Sequence, residues 1–337
     1  MKKALIFALL SFGMVLGGVS HAKEYKSMTV RIACSTPPGS VQAVPLARLA
    51  EIVHKESNGK IKCELYTGGV LGDEQAVVKQ LRSNEIQMGV LAAGNLTPFA
   101  PKATLVILPY MFPSKQHAFT FFRNEAFMKT FNEAITEQSK TRPLGWLIGG
   151  YRVLTNSKRP IKTIDDMAGL KWRVPPVELQ LAAFRSWGVE PHPLPWIETF
   201  NGLQQGVIDG QENPHLINRD AKFWEVQKYI TEPHYKLWTG PVVVNVDWLR
   251  SLPADVQQAI IEAGHETTVE MRALLDKQES ASREFLKEKG MVFCGVPTDE
   301  DEWMKRAVSI WPQFYPQIKN LEIVEAFMKT LGRQLPR

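Results

Sequence analysis

Past its first 22 residues the chain has no apolar run approaching the ~20 residues that a membrane-spanning helix needs. It has only three cysteines in 337 residues, Cys34, Cys63 and Cys294, too few and too scattered for a disulfide framework. Cys34 and Cys63 fall on neighbouring expected strands, where an oxidising compartment permits a bridge. The simpler reading is three buried thiols acting as small hydrophobes. Gly-x-Gly-x-x-Gly, the phosphate loop, the Gly-x-Ser-x-Gly elbow and paired cysteines are all missing, so no nucleotide, nucleophile or metal site is supported. His265-Glu266 starts like a zinc-protease helix, but the second histidine is not there. No basic stripe interleaved with aromatics exists, which argues against nucleic acid. What remains is a binding protein, not an enzyme, that needs no metal and no cofactor.

What the sequence does contain begins with Lys2 and Lys3, an apolar stretch from Ala4 to Val19, and Ser20-His21-Ala22. That order of charged, apolar and small residues is a secretory signal, residues 1–22, cleaved after Ala22. It implies that the mature protein is exported from the cytoplasm. Removing the two lysines lowers the formal charge from +5 to +3, a mild balance with both signs interspersed.

The rest reads as an alternating α/β chain. Strands are expected over Thr29–Cys34, Lys60–Tyr66 and Gln87–Ala92, with helices between them through Leu46 and Val53 and from Asp73 to about Ser83. A second unit starts at Gly149-Gly150, a pair suited to a crossover or hinge. It carries helices near 176–187 and 197–205 and a strand near His192–Pro195. Pro241–Val246 returns as a buried strand to the first unit. The division is lobe I, 28–149 plus 239–277, and lobe II, 150–238 plus 278–330. Ser251-Leu252-Pro253 opens a helical pattern that persists to Lys289 and stops at Gly290.

One segment points to a ligand. In Lys171-Trp172-Arg173-Val174-Pro175-Pro176 the paired prolines stop a strand just after Arg173, with Lys171 and Arg173 on one face and Trp172 and Val174 on the other. Ligands of open α/β sheets bind at strand carboxyl ends. A guanidinium fork there matches a carboxylate with two parallel hydrogen bonds. Asn213, before Pro214, also reads as a helix N-cap with proline at the first helical position.

Several longer segments carry a resemblance. They are Gly69-Val70-Leu71-Gly72-Asp73-Glu74, Thr155-Asn156-Ser157-Lys158-Arg159-Pro160, Leu203-Gln204-Gln205-Gly206-Val207-Ile208-Asp209-Gly210-Gln211-Glu212-Asn213-Pro214 and Lys222-Phe223-Trp224-Glu225-Val226-Gln227-Lys228-Tyr229. In that order, with the Arg-Val-Pro segment, the chain resembles substrate-binding proteins of tripartite ATP-independent periplasmic (TRAP) transporters, of the dicarboxylate-binding-protein type, over nearly the whole mature chain. The resemblance implies that the exported protein resides in the periplasm. It implies a two-lobed periplasmic-binding-protein fold, type II-like, with a hinge, a central cleft and one long helix spanning both lobes. It implies that Arg173 holds the ligand carboxylate, that Arg152 gives its anionic end a second contact, and that the Asn213 amide hydrogen-bonds the ligand.

By the same resemblance Glu74 reaches a ligand hydroxyl or amine, although an acid in the first turn of a helix also suits the macrodipole. Trp196 packs on the ligand, with Trp238 a weaker candidate. Ser35 and Ala92 end strands where sugar-acid-binding relatives can place polar groups. That less polar lining favours a monocarboxylate with an apolar or aromatic part, such as a 2-oxo, aromatic or amino acid. A sugar acid or C4-dicarboxylate is the alternative. The expected partners are the small and large membrane permease subunits of a transporter, the receptor itself being a monomer; the alternative of another class is a ligand-presenting subunit for a sensor kinase.

Overall fold

A computed structural model describes residues 26–319 and 321–337; the expected signal lies outside them. Two sheets organise the chain. The first has the order β2-β1-β3-β10-β4, built from β1 (Met28–Ala33), β2 (Ile61–Tyr66), β3 (Met88–Val90), β4 (Thr141–Tyr151) and β10 (Leu237–Asn245). The second has the order β11-β9-β5-β8-β6-β7, from β5 (Val153–Asn156), β6 (Trp172–Val174), β7 (Pro191–Pro193), β8 (Gly210–Asn213), β9 (Tyr229–Thr231) and β11 (Val292–Gly295). The β1, β2 and β3 strands pair in parallel, as the βαβαβ rhythm requires, whereas β10 runs antiparallel to both β3 and β4.

Local chemistry explains the element ends that matter. Gly39 takes φ +82° in the break after β1, before the helix Ala43–Glu56. Asp73 caps the helix Glu74–Arg82 by accepting from the Ala76 backbone N–H at 2.8 Å, which fixes where Glu74 points.

The chain crosses between the sheets twice, at Arg152 after β4 and at residues 232–236 before β10. The two crossings are tied together, the Arg152 N–H donating to the Lys236 carbonyl at 2.9 Å. A third connection is the helix Ala254–Glu288, 35 residues and about 50 Å long. It packs on β4 and on the helix Ala43–Glu56 of the first sheet's layer, and on the helix His215–Asp220 beside the second. The single long helix implied by the resemblance is thus present.

Gly149 and Gly150 precede the crossing at Arg152. Both lie within β4, and neither has a left-handed φ. They are small because other groups come close: a Cβ on Gly150 would sit 2.2 Å from Glu279 Oε1, and one on Gly149 would meet the Trp238 ring at 3.2 Å. The cysteines are free. Register sets Cys63 beside Val30, four residues from Cys34 along the strand, a separation of about 13 Å that no disulfide spans.

Candidate ligand-binding site

Between the two sheets lies a cavity of about 690 Å³ counting its open mouth. Arg152, Arg173, Asn213, Trp196, Glu74, Trp238 and Ala92 all line it; Ser35 does not, its hydroxyl being buried without a partner beside it. The two lobes touch at the rim of the cavity. Gln75 from the first lobe donates to the Pro176 carbonyl of the second at 3.0 Å, and Gly94 sits where a Cβ would touch Gln180 and Val177.

Arg173 is 2% exposed in β6. Its Nε donates to the Leu194 carbonyl at 2.8 Å, and among the described residues no carboxylate pairs with it. Burial pushes its pKa down to about 10, only partly offset by Glu212, so it stays charged at neutral pH. A buried cation without a counter-ion is expensive, several kcal/mol even after relaxation. The arrangement suits an anion, since among the described residues the two outer guanidinium nitrogens have no partner.

Arg152 has a different setting. Its Nε and Nη2 both donate to the Glu212 carboxylate, Nη2 at 2.7 Å, and Nη2 also reaches the Glu212 carbonyl at 2.8 Å. The Tyr235 hydroxyl and the Gln180 amide, at 2.8 Å, complete the shell of Glu212. Burial opposes both charges, but each holds the other ionised: Arg152 is raised above its ordinary pKa and Glu212 lowered below it. Arg152 is thus a neutralised wall of the cavity, and among the described residues its Nη1 has no partner.

Glu74 is also committed. Its carboxylate accepts from the Gln42 amide, the Asn95 amide and the Ala92 backbone N–H, the last at 2.9 Å. Burial pushes its pKa up, and these donors oppose that. Ala92 thus contributes its backbone N–H as well as its methyl group to the lining.

Asn213 closes β8 and is not the helix cap that Asn-Pro suggests. Pro214 takes the cap position, and the first backbone amides of the helix, His215 and Leu216, donate to Glu279 at 2.9 and 3.0 Å. Proline at the cap has no side-chain acceptor, so the long helix supplies one. Trp196 stands in a short 3-10 turn with its ring 5.7 Å from Phe223. Trp238 is wedged in β10, where Gly240 leaves it room.

Sequence reasoning missed Lys236, Gln180, Gln42 and Asn95, all in the lining. Lys236 is buried on the second crossing, inside a segment with no periodicity. Burial lowers its ammonium to about 7, Glu212 pulling it up and Arg152 pushing it down. The three amides sit at helix ends or on a helix otherwise apolar inward, and a buried polar residue there is the one available signal. They overturn the expectation of a less polar lining drawn from Ser35 and Ala92.

Residues 32–317 match the family described as bacterial extracellular solute-binding protein, family 7. A solute-binding protein of Verminephrobacter eiseniae is 30% identical over 282 residues, covering 84% of each chain. A TRAP periplasmic solute-binding protein of Rhodobacter sphaeroides, solved in an open form without ligand, is 35% identical, with TM-score 0.74 over 90% of this chain and 98% of that one. Another from Roseobacter denitrificans, solved with bound L-galactonate, is 27% identical, with TM-score 0.83 over 90% of this chain and all of that one.

Proposed function

The chain belongs to the family 7 extracellular solute-binding proteins, TRAP-type receptors and not enzymes, and on that premise we propose that its ligand is a hydroxylated monocarboxylate of the sugar-acid class. Arg173, buried and unpaired, is the observation that carries this reading. We assign it the carboxylate. The buried charges around the cavity are three cations, Arg173, Arg152 and Lys236, against two carboxylates, Glu212 and Glu74. With Lys236 protonated, one positive charge is in excess among these buried groups, Asp73 standing partly exposed in the same lining, which suits a monoanion better than a C4-dicarboxylate dianion.

Polar lining decides between sugar acids and acids with an apolar part. Asn95, Gln180, Asn213 and Thr239 line the space with a side-chain oxygen that has no partner among the described residues, and an apolar ligand would leave those oxygens without one at about 1–3 kcal/mol each. The L-galactonate held by the Roseobacter relative agrees with that choice. Trp196 and Trp238 are the surfaces on which the ligand's carbon chain packs. We divide the lobes at 28–149 plus 239–277 and 150–238 plus 278–330. Export by cleavage after Ala22, a monomeric state and delivery to the permease subunits of a TRAP transporter complete the reading.

A thermal-shift panel of aldonates, uronates, C4-dicarboxylates, 2-oxo acids and aromatic acids tests it. At a hundredfold excess over Kd, binding raises the melting temperature by about 4 °C for a protein of this size. The expected shift is with aldonates or uronates. A shift only with aromatic acids, or only with dicarboxylates, would reverse the assignment.

Lys236 makes binding depend on pH. In the free protein its pKa is about 7, below that of an unfolded lysine, so an anion in the cavity raises it again and binding takes up a proton. Affinity is greatest below about pH 7 and declines as pH rises from there, by up to about tenfold per unit. Titrations at pH 6.5 and 9 should show that loss in the wild type and a flat profile in Lys236→Met. An equally flat wild-type profile would remove Lys236 from the anion site. Stability of the ligand-free protein runs the opposite way: the penalty of the buried ammonium is present below about pH 7 and is relieved as pH rises towards the unfolded lysine value.

A further inference from the structure

We infer that Asn213 presents its carbonyl oxygen, not its amide nitrogen, to the ligand, and that the receptor therefore selects acids carrying a hydroxyl on the carbon next to the carboxylate. This rests on the sugar-acid reading above and narrows it.

The orientation of an amide is decided by its partners, and here the partners form a relay tied at both ends to backbone carbonyls, which only accept. At one end Asn218 Nδ2 donates to the Asn213 backbone carbonyl at 3.0 Å. Asn218 Oδ1 must then accept, and it does so from Gln211 Nε2 at 2.9 Å. At the other end Gln227 Nε2 donates to the Val226 and Asp209 carbonyls at 3.0 and 3.3 Å. Its Oε1 accepts from the Thr155 hydroxyl at 3.0 Å, so the Thr155 oxygen accepts in turn from Gln211 Nε2 at 2.7 Å. Both protons of the Gln211 amide are spent. Gln211 Oε1 can only accept, and Asn213 Nδ2 donates to it at 2.7 Å.

Asn213 Oδ1 is what remains for the cavity. The side chain is 97% buried and lines that space, and this oxygen has no partner among the described residues. Flipping the amide would set Asn213 Oδ1 against Gln211 Oε1, and relieving that clash would require flipping Gln211 and then both anchored ends. The site therefore needs a donor from the ligand. The parallel register Trp172↔Gly210, carried one residue further, sets Arg173 beside Gln211, with Asn213 one step along the same face. That is a Cα separation of roughly 8 Å by strand geometry. For a carboxylate on the Arg173 fork, the donor in range is the hydroxyl on its neighbouring carbon. A 2-oxo acid offers an acceptor there, and a 2-deoxy acid offers nothing.

Calorimetric titration with matched acids tests this: D-galactonate against its 2-deoxy and 2-oxo counterparts, and pantoate against 2-oxopantoate, on the full mature chain. In the wild type the 2-hydroxy member should bind at least tenfold more tightly. In Asn213→Leu that ratio should shrink to within about threefold, chiefly because the 2-hydroxy acid weakens. Equal wild-type affinity within each pair overturns the inference without any variant. Asn213→Leu weakening both members alike, with the ratio kept, overturns it too, since that is the result of an amide donating to the carboxylate. Failure of every acid to bind overturns the sugar-acid reading and this inference with it.

Discussion

Arg173→Leu should lose carboxylate binding by a factor of about a thousand while leaving the ligand-free protein as stable as the wild type or more stable. Removing one partner of a buried, hydrogen-bonded charge pair costs about 2–5 kcal/mol, a large share of the about −8 kcal/mol behind a micromolar receptor. The stability effect has the opposite sign because the empty site already bears the cost of a buried guanidinium whose Nε finds only the Leu194 carbonyl. Leucine deletes that cost and keeps much of the volume. Arg173→Lys should recover part of the affinity, since an ammonium keeps the charge but lacks the planar fork. Calorimetry for affinity and urea unfolding for stability separate the two effects. A variant that loses stability and affinity together would mark Arg173 as a structural residue.

Glu212→Gln should behave in reverse, with a large loss of stability whether or not ligand is present. Glu212 is fully buried and receives Arg152, Tyr235 and Gln180. Neutralising it strands the Arg152 guanidinium and adds a second uncompensated cation beside Arg173 and Lys236. Breaking a buried ion pair in this way costs about 3–5 kcal/mol, or about 5–8 °C in melting temperature at this chain size. Arg152→Met combined with Glu212→Met should cost much less than either charge deletion alone. Additive losses in that double-mutant cycle would show that the two groups do not act as a pair.

The parts of the site legible in the sequence were those encoded locally. Pro175-Pro176 end β6 immediately after Arg173-Val174, so the position of Arg173 at a strand's end follows from adjacent residues. Asp73 before Glu74 marks a helix start in the same way. The alternation of strands and helices gave the parallel part of the first sheet, and Ser251-Leu252-Pro253 with Gly290 bracketed the long helix.

What the sequence hid depends on pairs distant along the chain. Arg152 meets a carboxylate sixty residues away, and nothing beside it in sequence announces that its charge is already neutralised. Asn213-Pro214 has the spelling of a cap, but the cap is Glu279, sixty-four residues on from His215. Gly149-Gly150 spells a hinge, yet the pair serves the close approach of Trp238 and Glu279. The polar lining was misjudged because Ser35 and Ala92 end strands, whereas Gln42 and Asn95 are gathered on Glu74 only when the first lobe folds, and Gln180 comes from the other lobe.

The most direct test of the central claim, that a charge-excess cavity holds one carboxylate on Arg173 and solvates a hydroxylated chain with its amides, is a calorimetric titration of the wild-type protein with D-galactonate and with galactitol, its uncharged counterpart. The account predicts saturable binding of the acid and affinity for the alcohol weaker by roughly a thousandfold, the share that the buried charge pair supplies. Equal binding of the two would contradict it, because the cavity would then be recognising hydroxyl groups without using its unpaired cation.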